Sequence, residues 1–204
     1  DTAYAFADYA EIVARWLGDR VDHWLTHNEP WCTAFLGYGN GTHAPGIQNV
    51  QAAIDVAHHV MVSHGLALAR MRTHTKSTAK LGIAINLYPV YAADDRPETQ
   101  RATRMMNDFK NGWFMDPIFK GIYPEHLFTD FQVNPPPIRD GDMALISSPI
   151  DFLGVNYYTR TLVPANKEAR SIIDLQEVAT IPGSLYTDMH WEIYPQGLED
   201  ILLW

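Results

Sequence analysis

The chain has 204 residues, 47% hydrophobic and 19% charged, the profile of a globular protein with a sizeable core rather than a disordered one. Its formal charge of −9, with no basic cluster, argues against a nucleic-acid partner. No apolar run reaches the roughly 18 to 20 residues a membrane span requires, and a single cysteine, Cys32, excludes an internal disulfide framework and suits a reducing, cytoplasmic compartment.

In chain order, residues 2 to 17 read as an amphipathic helix with Phe6, Tyr9, Val13 and Trp16 at three- and four-residue spacing, and Gly18 fits just past its end. Val21 to Asn28 reads as a strand. Residues 31 to 50 are punctuated by Gly and Pro and read as a long loop, for which a functional role is the better prior. Gln51 to Arg72 is a second helix, with Ile54, Ala57, Met61 and Leu68 on one side and basic residues in its last turn. Lys80 to Leu87 is a short apolar run of the kind buried on both faces of a parallel sheet. Pro97 opens a third helix that runs from Thr103 to Trp113, and Tyr123 to Phe131 is a short one. Pro135-Pro136-Pro137 is a stiff connector, Ile150 to Tyr158 a further strand, and 159 to 190 an irregular excursion. A last helix begins near Pro195. Helices alternating with short apolar strands argue for an α/β fold, a parallel sheet covered by helices.

The chemistry concentrates in Trp24-Leu25-Thr26-His27-Asn28-Glu29-Pro30-Trp31. Proline has no N–H and pushes its predecessor out of the helical region, so the strand ends at Glu29. A carboxyl at a strand tip, with an amide before it and an indole two residues on, suits a polyhydroxylated substrate. The carboxyl gives and takes a proton, Asn28 hydrogen-bonds a hydroxyl, and Trp31 packs on the apolar face of a sugar ring.

Thr-x-Asn-Glu-Pro-Trp resembles the acid/base segment of the glycoside hydrolase family 1 β-glucosidases. The resemblance continues in order through Gly37-Tyr38-Gly39, His43-Ala44-Pro45-Gly46, Asp151-Phe152-Leu153-Gly154-Val155-Asn156-Tyr157-Tyr158 and Trp191-Glu192-Ile193-Tyr194-Pro195, nearly the whole chain. It implies a (β/α)8 TIM barrel, in which catalytic groups stand at the C-terminal ends of strands. Glu29, Asn86, Asn156 and Tyr158 all fall at or near such ends. A barrel takes roughly 250 residues or more, and only about three strands are read here. Residues 1–204 are therefore expected to be the middle of one catalytic domain, about strands 4 to 6 with flanking helices, cut at both ends. The family's Ile-Thr-Glu-Asn-Gly nucleophile segment is not in the sequence.

By resemblance, Glu29 is the general acid/base of a retaining β-glycosidase. It protonates the leaving oxygen while a second carboxylate, roughly 5 Å away, attacks the anomeric carbon. Asn28 binds the sugar 2-hydroxyl, Tyr158 donates to the nucleophile with Asn156 close by, and Trp31, His43 and Trp191 wall the aglycone side. Glu192 is not the nucleophile, which in the family lies further along. The expected partner is a small-molecule β-glycoside, a β-glucoside or cello-oligosaccharide, with no metal or cofactor. A catalytically inactive sugar-binding or scaffold fragment, and a 6-phospho-β-glycosidase, stand as the alternatives.

Other features read as structural. His58, His59 and His64 lack a His-Glu-x-x-His pattern and a cysteine partner for zinc. Met105-Met106 is helix core and Asp94-Asp95 a solvated loop. Gly37-x-Gly39-x-Gly41 is loop flexibility rather than a dinucleotide site, and Cys32 a small packing residue.

Overall fold

Four alanines at helical spacing, Ala3, Ala7, Ala10 and Ala14, form the buried face of helix α1 (Thr2–Leu17). In the computed structural model, which describes residues 2–130, 132–164, 177–178 and 181–204, this small-residue face packs against α2 (Val50–Arg72). The expected aromatic stripe is only half correct. Phe6 and Val13 pack partly on the core, whereas Tyr9 and Trp16 stand 63% and 76% exposed. Alanine has no side chain beyond Cβ, so helices approach closest along the alanine row and the bulkier residues are turned outward.

Between these helices the chain runs through strand β1 (His23–Asn28) and a π-helical turn, Cys32–Gly39. The turn corrects the expectation of an open loop, because Gly and Pro mask a helical segment. Gly37 sits where a Cβ would meet the Ala44 carbonyl oxygen at 2.9 Å, so it serves close approach, not flexibility. Asn49 caps α2, accepting from the Ala52 amide at 3.0 Å.

Strand β2 (Lys80–Asn86) is followed by a short strand, β3 (Val90–Ala92), and by α3 (Pro97–Asn107). The third helix starts at Pro97 as expected, and a π-helical turn, Asp108–Gly112, joins α3 to α4 (Trp113–Phe119), so the helical run extends past Trp113. Asp94 is more than a solvated residue. It accepts from the Arg96 amide at 3.1 Å and the Thr99 hydroxyl at 2.6 Å, holding the start of α3. Two short helices follow, α5 (His126–Asp130) and the unanticipated α6 (Asp142–Ile146). Strands β4 (Phe152–Asn156) and β5 (Thr161–Val163) precede α7 (Gln196–Leu203). Part of the expected irregular excursion, 165–176 and 179–180, lies outside the described residues.

The strands form a three-stranded sheet in the order β1-β2-β4 and a parallel pair, β3-β5. β1 and β2 are parallel, with Trp24 opposite Leu81 and a register shift between Leu25 and Asn28. The Asp151 amide donates to the Leu81 carbonyl and the Leu87 amide to that of Asn156, which makes β2 and β4 parallel as well. The chain divides into two compact units. The first comprises Asp1–Ile85, Phe114–Tyr123 and Val133–Val155. Its core joins Ala10, Ala14, Trp24, Ala67, Leu68, Met71 and Leu81. The second comprises Asn86–Trp113, Pro124–Gln132 and Asn156–Trp204, with Trp113 packed edge-on against Phe128 at 5.7 Å.

Candidate active site

β1, β2 and β4 each end on an asparagine, Asn28, Asn86 and Asn156. After Asn28 the ladder runs one residue further, the Glu29 amide donating to the Ala84 carbonyl at 2.9 Å. Glu29 then turns the chain with φ at +50°, a left-handed conformation uncommon outside glycine. Pro30 follows, and the Cys32 amide closes the corner on the Glu29 carbonyl at 2.9 Å. Strand, strained corner and π-helical turn together fix where this carboxyl leaves the backbone. Such strain gathers at functional positions.

The Glu29 side chain is partly buried. Its Oε2 accepts a hydrogen bond from the Cys32 thiol at 3.2 Å. Burial, then the Glu29 carboxylate, push the thiol up to about 12, so Cys32 is a neutral donor throughout the physiological range. Cys32 is thus more than packing. Its position three residues after Glu29, at the start of a helical turn, was the only available signal.

In the first unit Asn28 is exposed and Trp31 partly buried, with its ring 5.6 Å from that of Phe35. Phe35 in turn meets Phe114 edge-on at 6.4 Å. His43 is exposed, and its backbone is pinned to the π-helical turn by its amide bond to Leu36 at 3.0 Å. Behind the strand, consecutive residues both reach α2. Thr26 meets Nδ1 of His64 at 2.6 Å, and Nε2 of His27 meets the Ser63 hydroxyl at 2.8 Å. The His27 ring stacks on Phe6 at 4.4 Å. Burial lowers both imidazoles, His27 to about 4 and His64 to about 3. They are neutral packing groups. His58 is likewise engaged by Tyr123 at 3.0 Å and Asp142 at 3.1 Å. Among the described residues no three His, Cys, Asp or Glu side chains are grouped to hold a metal ion.

In the second unit Asn86 is buried, its amide nitrogen 3.4 Å from the Tyr88 hydroxyl. Asn111 holds the Tyr88 backbone from both sides, at 2.9 and 2.7 Å. Tyr158 and Trp191 come together, ring centroids 4.9 Å apart. Glu192 is committed to Arg160 through two hydrogen bonds, 2.7 and 2.9 Å, and to the Ser184 hydroxyl at 2.6 Å. The guanidinium holds the Glu192 carboxyl below its ordinary range. A carboxylate with three donors is a structural anion, not an attacking group. No helix among the described residues is long and apolar enough to cross a membrane.

Comparison with known proteins places the chain among glycosidases. The chain is 35% identical over its whole length to beta-glucosidase A of Acetivibrio thermocellus and 37% identical to a bifunctional beta-D-glucosidase/beta-D-fucosidase of Bifidobacterium breve, spanning 45% of each. The solved family 1 β-glucosidase of Thermotoga maritima matches 99% of the chain with a TM-score of 0.89 at 34% identity, over 44% of its own length. The chain therefore spans a little under half the length of these relatives, and it corresponds to part of their (β/α)8 barrel. A sequence profile of glycosyl hydrolase family 1 matches residues 1–204, and the chain belongs to that family.

Proposed function

We propose that residues 1–204 are the acid/base-bearing part of a single (β/α)8 catalytic domain, and that the whole protein is a retaining β-glucosidase acting on β-glucosides or cello-oligosaccharides. Family membership and the names of the relatives support the reaction class. The observation that carries the reading is Glu29 itself, a partly buried carboxyl at the exit of a parallel strand, on a strained corner and against a neutral thiol.

In the first half-reaction Glu29 gives its proton to the glycosidic oxygen as a carboxylate supplied from outside these residues attacks the anomeric carbon. The leaving alcohol departs with that proton. In the second, Glu29 takes a proton from the water that displaces the enzyme carboxylate, and the free sugar is released. Asn28 holds the 2-hydroxyl, an interaction that strengthens in the transition state. Asn156 and Tyr158 support the attacking carboxylate, and Trp31, His43 and Trp191 wall the aglycone side. Proton donor and nucleophile are both side chains, so the chemistry calls for neither metal nor cofactor.

The test is Glu29→Gln in the full-length protein. Hydrolysis of alkyl β-glucosides, whose leaving groups need the proton, should fall by roughly 100- to 10,000-fold. A 2,4-dinitrophenyl glucoside, whose phenolate leaves unaided, should lose far less in its first step. Equal losses on both substrates would remove Glu29 from the acid/base role.

A further inference from the structure

A second polar cluster in the second unit is untouched by this mechanism. Arg160 faces Glu192 as a two-pronged ion pair at 2.7 and 2.9 Å. The guanidinium lies 3.8 Å from the Tyr194 ring centre and 5.6 Å from that of Tyr91. The Tyr91 hydroxyl is tied to Asp200, and Ser184 adds a third donor to Glu192. The carboxylate is only 7% exposed, yet the neighbouring rings of Trp191 and Tyr158 are 37% and 41% exposed.

Position along the chain gives this cluster its meaning. Arg160 is two residues past Tyr158, and Glu192 is the residue after Trp191. One ion pair therefore clamps both segments that carry the aromatic pair. The Trp191 segment is closed on itself as well, its carbonyl accepting from the Thr187 amide at 2.9 Å and its amide donating to the Thr187 hydroxyl at 3.2 Å. Tyr186 and Glu192 form an antiparallel bridge. The clamp is interior, and the two rings face outward.

We propose that Arg160 and Glu192 are positioning residues that hold Trp191 against the ring of Tyr158, whose hydroxyl stays with the attacking carboxylate, and so set the preference for planar, apolar leaving groups without touching substrate. This rests on the glycosidase reading above. An aromatic wall rewards a ligand that presents a flat apolar face, an aryl group or the C–H face of a second sugar, and gains little from a methyl group. Its selectivity depends on the two rings staying in register. An arginine fork does this better than a lysine, whose ammonium is a point charge without planar geometry.

The experiment compares binding of phenyl 1-thio-β-D-glucoside and methyl 1-thio-β-D-glucoside to the full-length protein, read by intrinsic tryptophan fluorescence so that turnover is not needed. In Arg160→Lys and in Glu192→Gln the phenyl ligand should weaken about 5- to 10-fold, the scale of a lost aromatic contact, while the methyl ligand changes less than about twofold. Trp191→Ala should weaken the phenyl ligand alike, and adding Glu192→Gln to it should weaken it no further, because both changes remove one wall. An equal loss for both ligands, or losses that multiply in the double variant, would overturn the proposal. Failure of the Glu29→Gln test would strike the acid/base reading instead and leave this ligand comparison standing.

Discussion

The sulfur of Cys32 lies 3.2 Å from Oε2 of Glu29, three residues away along the chain. Burial and the facing carboxylate both disfavour a second negative charge there, which is why the thiol stays protonated up to about 12. Thiolate is the nucleophile in alkylation, so Cys32 should react with iodoacetamide at pH 8 roughly 100-fold or more slowly than an exposed cysteine. Glu29→Gln removes the charge but not the burial, and should raise the rate a few-fold. Peptide mapping by mass spectrometry measures both rates, and labelling of the native protein at the rate of a free thiol would contradict the contact.

The buried imidazoles give the fold an acid-side weakness. His27 and His64 are lowered to about 4 and about 3, mainly by burial and, for His64, secondarily by His27. An unfolded histidine near 6.5 takes up a proton before the folded one does. Stability from these groups is therefore complete above about pH 6.5 and falls as pH drops toward 4. At pH 5 each should have lost roughly 2 kcal/mol. Thermal melts of the full-length protein at pH 7 and pH 5 test this. His64→Leu should lower the midpoint at pH 7, through loss of the Thr26 bond, yet make its decline toward pH 5 shallower.

Two glycines mark contacts with no spare room. A Cβ on Gly65 of α2 would stand 2.3 Å from the Leu145 carbonyl oxygen, and one on Gly82 of β2 would stand 2.2 Å from that of Phe152. Backbone, unlike a flexible side chain, cannot swing aside. Gly65→Ala and Gly82→Ala should each destabilise by about 1–3 kcal/mol, seen as lower melting midpoints. An unchanged midpoint in either variant would show that the α2–α6 or β2–β4 approach is looser than described.

The 204-residue chain expressed by itself should show no turnover of an aryl β-glucoside, because the attacking carboxylate of the proposed mechanism is not among its residues. It should also self-associate. Tyr9, Ile12 and Trp16 of α1 are more than half exposed, and β1 lies at the edge of its sheet. Size-exclusion chromatography should give higher-order species that Tyr9→Lys with Trp16→Lys reduces. Turnover by monomeric 204-residue material would contradict the assignment of the nucleophile to another part of the protein.

What could be read in advance divides along physical lines. The end of β1 was legible because Pro30 has no amide to continue a ladder, and α2 because Ile54, Ala57, Met61 and Leu68 recur with helical period and are all buried. The inward face of α1 is not legible from hydrophobic size, because closeness of approach favours the alanine row over the aromatic residues. Cys32–Gly39 reads as loop because its glycines, which let backbone pack closely, look in a sequence like flexibility. The α6 turn is too short to carry a period. Of the candidate residues, Tyr158 and Trp191 meet as a pair, but the ion pair that holds them joins residues 32 positions apart. No local pattern announces such a partnership. Asn28, Glu29 and Trp31 stand together at the end of β1, where short-range chemistry is enough to single them out, whereas His43, beyond the π-helical turn, is marked only by the family resemblance.

The amide of Glu29 is hydrogen-bonded to the central strand and its carbonyl to Cys32, so the main chain at this residue is anchored on both sides. In the proposed mechanism, any travel of the carboxyl between a departing oxygen and an incoming water must come from rotation about side-chain bonds alone. The pivot is stationary and the lever is short, which favours a rapid exchange of roles over a wide excursion.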